Sequence, residues 1–246
     1  AFLYPCPDLD TALDALFQIA TERNLPLDFH LDETSDPGSA CLAAVARARL
    51  RSNHDGPVVC GHCCSLAQQD AEEVEVTLAL VRDAALDVVS LPMCNLYLQD
   101  RATETTPHWR GITRVKELAK AGIRVSFASD NTRDPFYAYG DLDMVEVMRE
   151  AVRICHLDHT HRTWLDAFGP NPAAVCGFPS QGLHAGDPAD FVLFNARNLN
   201  EILARPQSDR VVVRHGRATT RSLCGRARIS FRFRALNRTQ SAGSPA

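Results

Sequence analysis

The chain has 246 residues, 45% of them hydrophobic, and a formal net charge of −4. That is enough apolar sequence for a sizeable core and too little net charge to argue for nucleic-acid binding. No apolar run approaches the roughly 18 residues needed to span a bilayer, and the opening "AFLYPCPDLD" has neither the charged region nor the long apolar region of a secretory leader.

The first two-thirds alternates helix and strand patterns. "DLDTALDALFQIATERN" puts Leu9, Leu13, Leu16, Phe17 and Ala20 on one helical face, and Pro26 closes it before the strand-like "LDFHLDE". "SACLAAVARARLRSN" reads as a second helix and is followed by the strand "VVCGH". A third helix, "DAEEVEVTLALVRDAAL", precedes the strand "DVVSLP". "GITRVKELAKAG" stops at Gly122 and leads into "IRVSFASD", after which "LDMVEVMREAVRICHL" forms another helix. Short apolar strands separated by helices indicate a parallel sheet buried on both faces. "WLDAFGPNPAAVCGF" reads as two short helices broken at Gly169-Pro170. "ADFVLFNA" then gives a strand, and "RVVVRHGRAT" a hairpin turning at His215-Gly216. The expected division is 1–178 for the α/β part, 179–219 for a small β annex, and 220–246 for a disordered or aberrant basic tail. Nine scattered cysteines argue for a reducing, cytoplasmic setting.

His30, His62 and Asp130 each fall at the C-terminal end of an apolar strand, the end at which parallel β/α barrels build active sites. The third strand ends at Ser90-Leu91-Pro92, with no ionisable group. In "HLDE", alternation puts His30 and Asp32 on one face unless the chain bends. The segment reads either as a solvated acidic loop or as a metal ligand followed by an acid/base carboxylate. Cys60-Gly61-His62-Cys63 has dithiol spacing, but it follows a strand rather than opening a helix, so His62 is the functional candidate and a thiol oxidoreductase at Cys60/Cys63 the lesser alternative. Asp134-Pro135 initiates a turn, and Phe136, Tyr137 and Tyr139 either stack on a flat ring or pack beneath their loop. His159-Thr160-His161 has ligand spacing but follows a helix, and reads as a solvated helix end.

"DFHLDE", "VVCGHCCSLA", "LPMCNLYLQDR", "RGITRVKELAKAGIRVSFASDNTRDPFYAYGDLDMVEVM" and "GDPADFVLFNA" together resemble bacterial cytosine deaminases of the amidohydrolase superfamily, over about Leu25 to Thr219. The resemblance implies the C-terminal half of a (β/α)8 TIM-type barrel, strands five to eight, with part of a small β-sandwich annex. It implies a metal-dependent hydrolytic deaminase using one divalent ion, iron or zinc, and a small heterocyclic amine as substrate. His30 and Asp130 would be metal ligands, Glu33 the proton carrier to the ring, and His62 the assistant to the attacking water. Phe136 would lie near the substrate ring. Asn131 stands where cytosine deaminases tend to have Asp, which leaves isocytosine, pterin-like and creatinine-like rings open. The His-x-His of the first barrel strand is expected to be absent, so an inactive fragment acting by association is the other reading. The complete protein is compatible with a homo-oligomer, and neither a nucleic-acid nor a membrane partner is expected.

Overall fold

The structure, a computed structural model, describes residues 1–160, 164–179, 184–205 and 209–219. His161 and the tail from residue 220 onward lie outside the described residues.

Five parallel strands form one sheet in chain order: β1 (Phe2–Leu3), β2 (Leu27–Leu31), β3 (Val58–His62), β4 (Asp87–Ser90) and β5 (Val125–Phe127). The β/α alternation predicts four. The additional strand is two residues long, too short for a periodic signal, and is set by pairing alone, with Phe2 opposite His30 and Leu3 opposite Leu31. Helices α1 (Leu9–Arg23), α2 (Cys41–Arg51), α3 (Ala71–Asp83), α4 (Pro92–Leu98), α5 (Val115–Lys120) and α6 (Met144–Ile154) connect or follow the strands. Sequential parallel order with helical crossovers is the parallel sheet expected from the alternation, and it matches the half-barrel that the resemblance implied.

The core lies between the sheet and its helices. Leu13, Phe17 and Ala20 of α1 are buried, and Leu9 and Leu16 pack against the same core, as the helical face predicted. Phe29 and Leu31 of β2 point into this layer and are fully buried. Burial on both faces does not hold along the whole sheet, however. All five residues of β3 are buried, whereas Asp28 and His30 of β2 are exposed. The two faces of β2 differ because helices cover only one of them.

After α6, Leu165–Phe168 form a 3₁₀ turn, and α7 (Pro170–Val175) begins after Gly169, so the break predicted at Gly169-Pro170 is present. Phe168 stacks on Phe127 of β5, with centroids 4.8 Å apart and planes 10° from parallel. β6 (Phe191–Leu193), β7 (Val211–Arg214) and β8 (Arg217–Ala218) make an antiparallel three-stranded sheet whose hairpin turns at His215-Gly216. Helix α8 (Leu199–Ala204) lies between β6 and β7. A bidentate pair from Arg210 to Asp143, at 3.0 and 2.5 Å, ties this sheet to the start of α6. Among the described residues no helix is long and apolar enough to cross a membrane.

Candidate active site

β2 leaves the sheet at Asp32, which adopts a left-handed conformation with φ of +54°. That turn separates two neighbouring carboxylates. Asp32 is buried, and its Oδ1 accepts from Ser39 Oγ at 2.7 Å and from the Cys41 N–H at 2.9 Å. Its Oδ2 accepts from the Leu42 N–H at 2.9 Å. These are N–H groups of the first turn of α2, which lack intrahelical partners and favour negative charge. Asp32 therefore anchors α2, and Glu33 is the carboxylate delivered to the site. The bend is what the strict alternation of a strand did not include.

β3 and β5 end with the same device. His62 and Cys63 have φ of +72° and +52°, and Asp130 has φ of +63°. Such backbone is costly for residues other than glycine and concentrates at functional sites. The result is that Glu33, His62 and Asp130 converge, each offering a ligand atom within 4.8 Å of the others. His30 stands behind His62, with its Nδ1 3.1 Å from His62 Nε2.

Asn95 joins this cluster without having been singled out from the sequence. It sits on α4, whose first position is Pro92, directly after the strand that carries no ionisable group. Its Nδ2 lies 2.9 Å from Glu33 Oε1 and 3.0 Å from His62 Nδ1. A single amide buried in the apolar run "PMCNLYL", just after a proline suited to open a helix, was the available signal. Gln99, one turn on, donates to the Glu33 carbonyl at 3.3 Å.

Electrostatics follow from burial. Removal from water, and then the charge of Asp130, raise the Glu33 carboxyl from 4.5 to about 7, against a smaller lowering by Asn95. Burial lowers the His62 pKa, opposed by Asp130 and reinforced by His30. Asp130 Oδ2 is buried without a hydrogen-bond partner among the described residues. A buried carboxylate oxygen without a donor costs free energy unless something cationic meets it. Carboxylate and imidazole donors at this spacing fit a divalent ion, though the cluster is Glu33, His62 and Asp130 and does not include His30, which the resemblance implied as a ligand.

The remaining candidates separate clearly. Phe136 is 61% exposed on the loop after β5. Asn131 is engaged at both ends, its Oδ1 accepting from the Cys94 thiol at 3.3 Å and its Nδ2 donating to Asp134 at 2.9 Å. Asp134 also accepts from the Phe136 and Tyr137 N–H groups, which makes it the turn former anticipated. Tyr137 packs against Tyr97 at 5.1 Å. His159 lies in a 3₁₀ turn, fully solvated, with a 94% exposed side chain, while its partner His161 is outside the described residues. Cys60 and Cys63 are both fully buried free thiols, and burial raises both pKa values. A thiolate nucleophile needs the opposite environment, which argues against dithiol chemistry.

A profile of the amidohydrolase family matches residues 4–221. The chain belongs to the amidohydrolase family. This amidohydrolase chain is 53% identical over 218 residues to a pterin deaminase of Rhizobium rhizogenes strain K84, a match covering 88% of the chain and 50% of that protein. Among solved structures it resembles 5-methylcytosine deaminase from Klebsiella pneumoniae, with a TM-score of 0.74, 28% identity, and coverage of 86% of this chain and 52% of that one. It also resembles N-isopropylammelide isopropylaminohydrolase from Burkholderia multivorans, with a TM-score of 0.69, 26% identity, and coverage of 85% and 51%. The amidohydrolase chain thus spans about half the length of these relatives, in agreement with the half-barrel.

Proposed function

We propose that this amidohydrolase chain carries the acid–base side of a hydrolytic deaminase, one that replaces an exocyclic amino group on a nitrogen heterocycle by oxygen and releases ammonia. The observation that carries the reading is the convergence of Glu33, His62 and Asp130 within 4.8 Å at the ends of parallel strands. A pterin-type ring is the substrate class favoured, on the strength of the 53% identical pterin deaminase. Asn131 in place of an aspartate favours it over cytosine.

Each residue has a definable task. Glu33 Oε1 is occupied by the Asn95 amide, so Oε2 is the oxygen left to hold a proton. With a pKa near 7, Glu33 exchanges a proton readily at neutral pH and passes it to the ring nitrogen beside the amine-bearing carbon. Asp130 takes a proton from the attacking water, with His62 beside it. His30 and Asp130 would hold one divalent ion, which when bound acidifies water enough to supply a nucleophile near neutral pH. Phe136 stacks on the ring, and Asn131 reaches it by exchanging one of its two present partners.

The test is ammonia release from pterin, isocytosine and cytosine in the presence of Zn²⁺ or Fe²⁺. It uses this chain alone and this chain mixed with the half of the Rhizobium relative that it does not match. Pterin should be the preferred ring, and Glu33→Gln should lower turnover by about 10²–10⁴-fold. Unchanged turnover in that variant removes Glu33 from the chemistry. No ammonia from any ring in a metal-loaded mixture overturns the reading. A non-catalytic role in association is favoured by a different observation, the 60% and 64% exposure of Phe2 and Tyr4 beside the edge strand β1. Absence of both bound metal and turnover would support it.

A further inference from the structure

We infer that Asn95 is a positioning residue that sets the tautomer of His62 and thereby divides the labour between the two histidines. A neutral imidazole carries one N–H and one lone pair, and an amide nitrogen only donates. Asn95 Nδ2 has two hydrogens and faces two acceptors, Glu33 Oε1 at 2.9 Å and His62 Nδ1 at 3.0 Å. His62 Nδ1 is therefore the unprotonated nitrogen, and the ring proton sits on Nε2. His30 Nδ1 lies 3.1 Å from that Nε2 and accepts its hydrogen. Donors thus run in one direction, from Asn95 to His62 to His30. Asn95 is 1% exposed, and its main chain is held in α4, donating to the Leu91 carbonyl and accepting from Gln99.

The consequence concerns the proposed metal chemistry, on which the role of this chain of donors rests. With its proton on Nε2, His62 has no lone pair there for a cation and remains a hydrogen-bond donor. His30, whose Nδ1 accepts from His62, would then be the imidazole available to a cation. The reverse amide orientation would set Asn95 Oδ1 against both groups, put the proton on His62 Nδ1 and require a protonated Glu33. The two orientations make opposite predictions.

The experiment reads protons rather than turnover. The metal-free chain, ¹⁵N-labelled at histidine, is recorded by two-bond ¹H–¹⁵N correlation at about pH 8, a condition chosen to keep imidazoles neutral. The His62 signals are identified by their loss in His62→Gln. In the unaltered chain His62 should show the Nε2–H tautomer. In Asn95→Asp, whose ionised side chain only accepts, the proton should move to Nδ1. An Nδ1–H tautomer in the unaltered chain overturns the inference even if the variant does not fold. An Nε2–H tautomer that persists in folded Asn95→Asp, checked by circular dichroism, overturns the control by Asn95. Neither result depends on ammonia release, so a chain with the expected tautomer and no turnover refutes the deaminase reading alone.

Discussion

Glu33 differs from its neighbour Asp32 in what each is for, although the two are adjacent carboxylates at one strand end. Three donors hold Asp32 at the head of α2, whereas Glu33 faces another carboxylate, Asp130. The folded-state pKa of Glu33, about 7 against an ordinary 4.5, means that the folded chain binds the Glu33 proton more tightly than the unfolded chain. Its stabilising contribution is complete below about pH 4.5 and is lost as the pH rises through about 7. In chelator-treated protein, Glu33→Gln should flatten the decline of the thermal midpoint between about pH 5 and pH 8 and raise the midpoint at the upper end. An unchanged slope would mean that water reaches Glu33 freely. The residue types were legible in "HLDE", but which carboxylate turns to the site was given only by the resemblance, because it depends on a single left-handed residue and on partners as distant as Asn95.

Helix α4 is the element on which the site depends most, since it brings Asn95 to Glu33 and His62 and Gln99 to the Glu33 backbone. It is held from outside by Gly111, which has φ of +67°. A Cβ there would fall 2.3 Å from Gln99 Cγ and 2.8 Å from the Asn95 carbonyl oxygen. Gly111→Ala should therefore destabilise the protein by about 1–3 kcal/mol through backbone strain and the clash. It should also shift α4, detectable as a change in the Asn95 side-chain amide resonances. A variant as stable as the parent in urea, with those resonances unmoved, would show that the loop yields without involving α4. The helices α1, α2, α3 and α6 run over 11 to 15 residues each and emerged from their apolar faces, while the six-residue α5 was marked by its stop at Gly122. The seven-residue α4, "PMCNLYL", is apolar at nearly every position, so no polar face marks it as a helix, and both it and the buried amide it carries stayed hidden.

The whole chain holds together as a sheet whose last strand is clamped by the segment after α6. Phe127 is stacked by Phe168 and met edge-on by Trp164 at 5.9 Å, while Asn171 donates to the Val125 carbonyl at 2.8 Å. Truncating Phe127 to Ala removes the buried ring that joins these parts and should cost about 3–5 kcal/mol, as large-to-small core changes do. Urea unfolding followed by tryptophan fluorescence measures it. A loss below about 1 kcal/mol would mean that the segment is attached by other contacts. Because β5 also carries the turn to Asp130, the same substitution tests whether the clamp supports the site.

Hydrophobic periodicity and the position of polar residues after apolar runs determined, from the sequence alone, the β/α alternation, the candidate end of the sheet, and His30, His62 and Asp130 as candidates, while Glu33 came from the family resemblance. These features are local, written in spacings of two and of three to four residues. The tertiary structure alone decided that Phe2–Leu3 joins the sheet, that one face of β2 is open, that Asp32 turns away, and that Asn95 bridges Glu33 to His62. Each of those is a pairing between segments far apart in the chain, and spacing along the sequence carries no record of which distant donor meets which acceptor.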